Sequence, residues 1–363
     1  MTQKVSTKKS GSFLEKVVAL TRKQFFIPIA ALTILVLFNL IMDPSFFAIK
    51  LGTNSNGDPV LSGYLITILN NASELVILAI GMTLVTSASG GQDISVGSTI
   101  AIAGSVILRI LCNRPITVAN MLFAFLVAAI VSMIFGAFNG VLVAYFKIQP
   151  MIATLILFTA GRSIAAWINN NTLPVINDPT FAYFGNFIPG IPVPTPFFIA
   201  VICVIIITLV LKFTTLGLYS QAVGINPSSS RLNGIDPAKV KLITYIILGL
   251  CVAVVGLIKV SRISTINYSV VAKDIEMDAI LAVALGGNSL GGGKFNMASS
   301  IMGAYIIQFL TTTLFKFKVE STALPAYKAI VVIILVVLSA PVVREKMSAF
   351  WKKVTSKSAK EAA

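Results

Sequence analysis

Gly217–Lys241 reads GLYSQAVGINPSSSRLNGIDPAKVK, and almost purely apolar sequence stands on either side of it. Ile199–Leu211 is IAVICVIIITLVL, and Leu242–Ile258 is LITYIILGLCVAVVGLI. The stretch between them is polar, basic and dense in helix signals. Asn226 followed by Pro227 is an N-cap and a first helical position. Ser228–Asn233 then has room for under two helical turns. Gly234 suits the left-handed residue that ends such a helix. Asp236-Pro237 repeats the start signal and launches the next long helix. The pattern predicts two apolar spans joined by a short, separately capped helix outside the bilayer. A soluble partner can use such an element as a handle on the membrane part.

Composition extends this reading to the whole chain. Of the 363 residues, 56% are hydrophobic and 11% charged, whereas a soluble domain carries about 25% charged residues. Mean hydropathy is +0.91. Many apolar runs reach the roughly 20 residues that cross a bilayer as a helix. None shows the alternating segments of about 10 residues that mark a membrane barrel. The fold class is therefore an all-α integral membrane protein. The formal charge of +15 sits at the ends and in loops, as membrane topology requires. No basic face with interleaved aromatics argues for nucleic acid. Cys112, Cys203 and Cys251 fall in or beside apolar runs at unrelated spacing and read as packing residues. The sequence has no histidine, so the commonest metal ligand and proton shuttle is missing.

Ten spans are expected, at about Phe25–Met42, Tyr64–Ser87, Val96–Leu111, Val118–Tyr145, Met151–Trp167, Phe197–Phe213, Val240–Ile258, Ala279–Gly286, Met297–Leu314 and Ala326–Leu338. They form a transmembrane domain over 24–341, between basic tails at 1–23 and 342–363. The first apolar run lacks a small-x-small cleavage site and reads as a retained span. Asp43-Pro44 stops it, and 45–60 is an outside loop with a turn cluster at Asn56-Gly57-Asp58-Pro59. Residues 169–195 form the longest outside loop, and 259–277 another of mixed charge. Ten spans put both termini on one side. Lys and Arg concentrate on that side, which makes it cytoplasmic and places loop 214–239 there too. The eighth span is short enough to be a re-entrant half-helix.

Two glycine-rich segments invite chemistry. Gly90–Gly97, GGQDISVG, is either a tight turn with Asp93 or Ser95 capping the following helix, or a helix break where backbone N–H groups meet a polar solute. Gly286–Lys294, GGNSLGGGK, fails as a phosphate-binding loop. Asn288 stands where the first glycine belongs, Phe295 where Ser or Thr belongs, and no strand precedes it. Its glycines suit close helix packing and a sharp turn. Within the spans lie Asn70, Asn71, Glu74, Asn139, Thr154, Arg162 and Gln308. Charges in hydrocarbon are costly, so Glu74 and Arg162 face protein or water. They either bond between helices, with a Glu74–Arg162 pair as one option, or line a path for a hydroxylated solute.

Four blocks carry a resemblance. GMTLVTSASGGQDISVGSTIAIAG at 81–104 resembles the glycine–aspartate–serine signature of the sugar permeases of ATP-binding cassette importers of the ribose, galactose and xylose type. Gln92 stands in place of the usual apolar residue, and Ser87-Ala88-Ser89 is unusual. NGVLVAYFKIQPMIATLILFTAGR at 139–162 is similar to the next block. AVGINPSSSRLNGIDPAKVKLITYIILGL at 222–250 is similar to the third, with Ser228–Ser230 for the usual alanines, and DAILAVALGGNSLGGGKFN at 278–296 to the last. The wording lies nearest the galactofuranose-type branch.

This resemblance implies a type II-like importer permease of about ten helices in a bacterial cytoplasmic membrane. Two permease subunits, in this branch two different homologous chains, would form the pathway. ATPase subunits carrying ATP and Mg would dock on loop 214–239, where Asn226, Pro227, Arg231, Gly234 and Asp236 lie. An extracytoplasmic binding protein would deliver a monosaccharide, with fructose, galactofuranose, ribose and xylose as candidates. This chain would bind no cofactor and catalyse nothing. Substrate-pathway candidates are Asn70, Asn71, Glu74, Gln92, Asp93, Ser95, Asn139 and Arg162. Two rivals are a secondary carrier driven by an ion gradient, with Glu74 as its carboxylate, and a permease for branched-chain amino acids. An embedded enzyme lacks any catalytic cluster.

Overall fold

The computed structural model of the chain describes residues 26–53, 59–320 and 322–339. The basic tails, the Asn56-Gly57-Asp58 turn and Pro341 lie outside the described residues. Helix α1 (Phe26–Met42) ends at Asp43, whose side chain caps a 3-10 turn at Pro44–Phe47. A short antiparallel hairpin follows, β1 (Lys50–Thr53) with β2 (Pro59–Ser62), in register Lys50 with Ser62. The expected outside loop thus holds two strands in an otherwise helical fold. Lys316 beside Asp43, at 2.7 Å, and hydrogen bonds from Ser45 hold that carboxyl down at about 2.

The bundle is built around α2 (Tyr64–Ser89), α3 (Val96–Leu111) and α10 (Pro237–Ile263). In α3 every residue except Arg109 and Ile110 is buried, the polar Ser98, Thr99 and Ser105 included. α2 ends where Gly90, at φ 66°, takes the left-handed C-cap and returns its N–H to Thr86 O. α10 starts where Asp236 accepts from the N–H groups of Ala238 and Lys239, with Pro237 at the first helical position. Around this centre stand α4 (Val118–Ala144), α5 (Pro150–Ile168) and α7 (Thr195–Phe213). α4 leaves Leu122, Leu126, Ile130 and Ile134 exposed, and α7 leaves Ile202, Ile205, Ile206 and Leu209 exposed. Only helices that satisfy their own backbone can turn such faces to lipid. α11 (Ile275–Leu285), α12 (Met297–Lys316) and α13 (Leu324–Ser339) complete the set. A single turn, α6 (Pro179–Ala182), interrupts the long loop.

Six helices among the described residues are long and apolar enough to cross a membrane: α2, α4, α5, α7, α10 and α12. The expected count of about ten is not reached on this measure. The apolar parts of α1 and α3 are shorter, and α11 has 11 residues, about half a bilayer's width. The apolar run also understated α10. It continues through Lys259 and Arg262 to Ile263, because both cations find a partner on α2. The loop expected from 259 therefore begins at Ser264.

α4 and α10 cross at backbone contact. A Cβ on Gly249 would lie 2.5 Å from Ser132 O, and one on Gly136 would lie 2.4 Å from Tyr245 O. Small residues permit this approach in membrane bundles. Gly249→Val should therefore destabilise the purified protein by about 1–3 kcal/mol or more. Thermal unfolding in detergent checks this, with Gly52→Val, where a Cβ meets nothing closer than 3.6 Å, as the reference.

Candidate functional site

The handle between α7 and α10 is two helices where the sequence suggested one. α8 (Leu216–Ile225) precedes α9 (Pro227–Leu232), and Asn226 is the joint. Its side-chain oxygen accepts from Ser229 N at 3.0 Å, and its carbonyl accepts from Ser230 Oγ at 2.9 Å. Gly234, at φ 77°, ends the short helix, and Ile235 N returns to Ser230 O at 3.0 Å. Asn226, Pro227, Arg231, Gly234 and Asp236 are all exposed, and so are the apolar Leu232 and Ile225. The segment is locally rigid and turns a mixed polar and apolar face outward. α8 was hidden because GLYSQAVGI has two glycines and no apolar periodicity, whereas in the fold Gly217, Ser220 and Val223 are buried.

The segment 90–95 is a turn, in which Gly91, Gln92, Asp93 and Ser95 are buried. Asp93 Oδ1 accepts from Ser95 N at 2.8 Å and from Ser95 Oγ at 2.6 Å. Asn139, from α4, donates to Asp93 Oδ2 at 3.2 Å and to Ser95 Oγ at 2.9 Å. Ser95 occupies the N-cap position of α3, but its side chain makes no capping bond. Burial pushes the Asp93 carboxyl up from its ordinary range, while the bonds from Ser95 and Asn139 pull it down. Thr154 of α5 accepts from Ile94 N at 3.1 Å. Asp93, Ser95, Thr99, Gly136, Asn139 and Gly249 line a cavity of about 10 Å³. That is room for about one water, far below a sugar.

The second glycine segment packs on this turn. Gln92 Nε2 donates to Leu290 O at 2.9 Å. Ser87 Oγ donates to Gly293 O at 2.6 Å, and Gly293 N donates to Ser87 O at 3.0 Å. Gly287, Gly292 and Gly293 have φ of 75°, 93° and 92°, so the loop is the sharp turn its composition suggests. Asn288 fastens it to α12, donating to Ser300 Oγ at 2.7 Å and accepting from Asn296 N at 2.7 Å.

Asn70, Asn71 and Glu74 meet at the other half of α2, within about one turn on one face. Glu74, buried, pairs with Lys259 at 2.6 Å and Arg262 at 2.8 Å. Arg262 also donates to Asn71 Oδ1 at 3.1 Å, Asn70 Oδ1 at 3.0 Å and Gly185 O at 3.2 Å. The Glu74–Arg162 option is corrected. Arg162 instead donates to the carbonyls of Tyr268 and Val271, at 2.7 and 2.9 Å, and so holds the loop before α11. Lys259 and Arg262 escaped notice because both fell beyond the apolar run. Their i, i+3 spacing, which places both on one helical face, was the available signal. Among the described residues no group of three or more His, Cys, Asp or Glu could hold a metal ion.

The site therefore has three parts: an exposed capped handle, a buried knot of turns at one end of α2, and an ion cluster roughly 20 Å back along it. Residues 64–340 match the family model described as the branched-chain amino acid transport system / permease component. The chain belongs to this family of membrane permeases. Within it, the chain is similar to named sugar importers. It is 39% identical over 318 residues to the fructose import permease protein FruF of Bifidobacterium longum, covering 86% of each chain. It is 38% identical to the galactofuranose transporter permease protein YtfT of Escherichia coli, over 78% of this chain and 80% of that one. It is 35% identical to the ribose import permease protein RbsC of Escherichia coli, over 85% and 91%. No solved structure matches the chain.

Glu74→Ala leaves two part-buried cations without their carboxylate, and should cost about 3–5 kcal/mol in unfolding free energy. Arg162→Met removes the anchor of one loop and a positive charge that acts on Glu276 of α11. It should leave the α2–α10 pairing intact, so combining it with Glu74→Ala should give additive losses in thermal melts.

Proposed function

We propose that this chain is the membrane-spanning permease subunit of an ATP-binding cassette importer that moves a monosaccharide into a bacterial cell. The observation that carries the reading is the run of sugar-import permeases that match it almost end to end, at 35% identity or more. Their named substrates are fructose, galactofuranose and ribose, and a monosaccharide of that kind is the proposed cargo here. The family description mentions branched-chain amino acids. The sugar reading is preferred because the full-length relatives carry sugar names.

In this reading the chain sits in the cytoplasmic membrane with both tails and segment 214–239 on the cytoplasmic side. Ten crossings, some by helices shorter than a full span, give that topology. ATPase subunits holding ATP and Mg grip the α8–α9 handle, and Arg231 and Asp236 supply charge of both signs for the contact. A second permease chain, different or identical, completes the pathway, and an extracytoplasmic binding protein delivers the sugar. Asn70, Asn71, Glu74, Gln92, Asp93, Ser95, Asn139 and Arg162 border the route.

ATP-driven closure of the ATPases moves the handle, and the capped helices pass the movement to α7 and α10. The sugar crosses without chemical change. A ligand or nucleotide shifts such an equilibrium only through different contacts in the two states, and the handle is where the ATPases would make theirs.

Two measurements test this. ATPase activity of the reconstituted complex, with binding protein and a panel of fructose, galactose, ribose and xylose, should rise with one sugar and not with leucine. Stimulation by leucine alone would overturn the cargo. Gly234→Val strains a residue at φ 77° but meets nothing within 4 Å, so its effect comes from backbone alone, about 1–2 kcal/mol. It should lower coupled uptake while the protein still inserts. Unchanged coupled uptake would remove the cap from the mechanism.

A further inference from the structure

The handle touches the rest of the protein at one unusually close point. A Cβ added to Gly224 of α8 would lie 1.8 Å from Ser87 O and 2.5 Å from Gly293 N. No side chain fits there, so the backbone of α8 rests directly on the bonded pair Ser87–Gly293. That pair is closed by two hydrogen bonds, one from each residue. A Cβ on Gly292 would in turn lie 3.0 Å from Gly90 Cα. Beneath the contact, Val223 of α8 packs with Ala88 of α2 and Val240 of α10 in a small buried cluster. Three segments distant in sequence thus meet backbone to backbone: the handle, the end of α2 and the glycine loop that links α11 to α12.

Backbone contact transmits displacement differently from side-chain contact. Long side chains absorb a shift by changing rotamer, whereas a close-packed interior with low compressibility passes it on. The Ser87 hydroxyl adds stiffness, because it locks the end of α2 to the glycine loop on which α8 also presses. We infer that Gly224 and Ser87 are the positioning residues through which movement of the handle reaches α2, α11 and α12. This gives a role to the GGNSLGGGK segment, which no nucleotide explains, and to Ser87, which stood out as unusual in its block. The inference rests on the reading of 214–239 as the ATPase handle.

The test uses the complete reconstituted transporter, with fructose, galactose, ribose and xylose as probe sugars. The readout is sugar taken up per ATP hydrolysed. Ser87→Ala removes one hydroxyl and leaves the backbone contact, so it should fold. Its uptake per ATP should fall about 2- to 10-fold, the range that one lost hydrogen bond allows. The sugar concentration for half-maximal stimulation should stay unchanged, which a general loss of structure would not spare. Gly224→Ala should lose coupled uptake more severely. If Gly224→Ala does not accumulate, Ser87→Ala decides alone. A wild-type ratio in Ser87→Ala would overturn the inference while leaving the permease reading intact. A wild-type complex that no probe sugar stimulates would overturn both.

Discussion

The carboxylate that this chain buries on α2 has to find its countercharges inside the bundle. That constraint decides which helices form the centre. Glu74 is buried midway along one face of α2, and its two cations come from α10, so the two helices are bound to each other by charge as well as by packing. Removing a carboxylate or a guanidinium from water costs several kcal/mol, and only close pairing with further hydrogen bonds offsets it. Asn70, Asn71 and the Gly185 carbonyl supply those bonds to Arg262. Hydrogen bonding closes the far end of α2, where the Asp93 carboxyl accepts from Ser95 and Asn139.

The apolar spans and their caps were legible because their signals are local. Asn226-Pro227 and Asp236-Pro237 announce helix starts within two residues, and both cap as the residues suggest. Gly234 and Gly90 sit at positive φ where the chain must turn. The clustering of Gln92, Asp93 and Ser95 was visible as composition, but not the arrival of Asn139 from another helix. Span ends were misjudged where a charge closed the apolar run, as at Lys259. A charge ends a span only when it has no partner within the protein, and partners are a matter of tertiary contact. The hairpin at 50–53 and 59–62 and the helix 216–225 were also illegible, since neither has a periodic apolar pattern and each is held by what it packs on.

Function was legible for a different reason. Four blocks, spread over most of the chain and in one order, resemble sugar permeases, and full-length relatives place the chain in that family. The fold explains why the blocks are arranged as they are. Three of them, at 81–104, 222–250 and 278–296, contribute Ser87, Gly224 and Gly293 to a single knot at the end of α2. The block at 139–162 supplies Asn139 and Thr154 to the turn beside it. The motifs are thus parts of one junction between a handle and a bundle, with the ion cluster of Glu74 at the other half of the same helix.

The central claim is that ATP hydrolysed outside this chain drives a sugar through it. Uptake of a labelled monosaccharide into proteoliposomes, with ATP supplied on the ATPase side and ionophores present to collapse every ion gradient, tests that claim most directly. The account predicts uptake that requires ATP and persists with the gradients abolished. Uptake that needs no ATP and stops when the gradients collapse would contradict it.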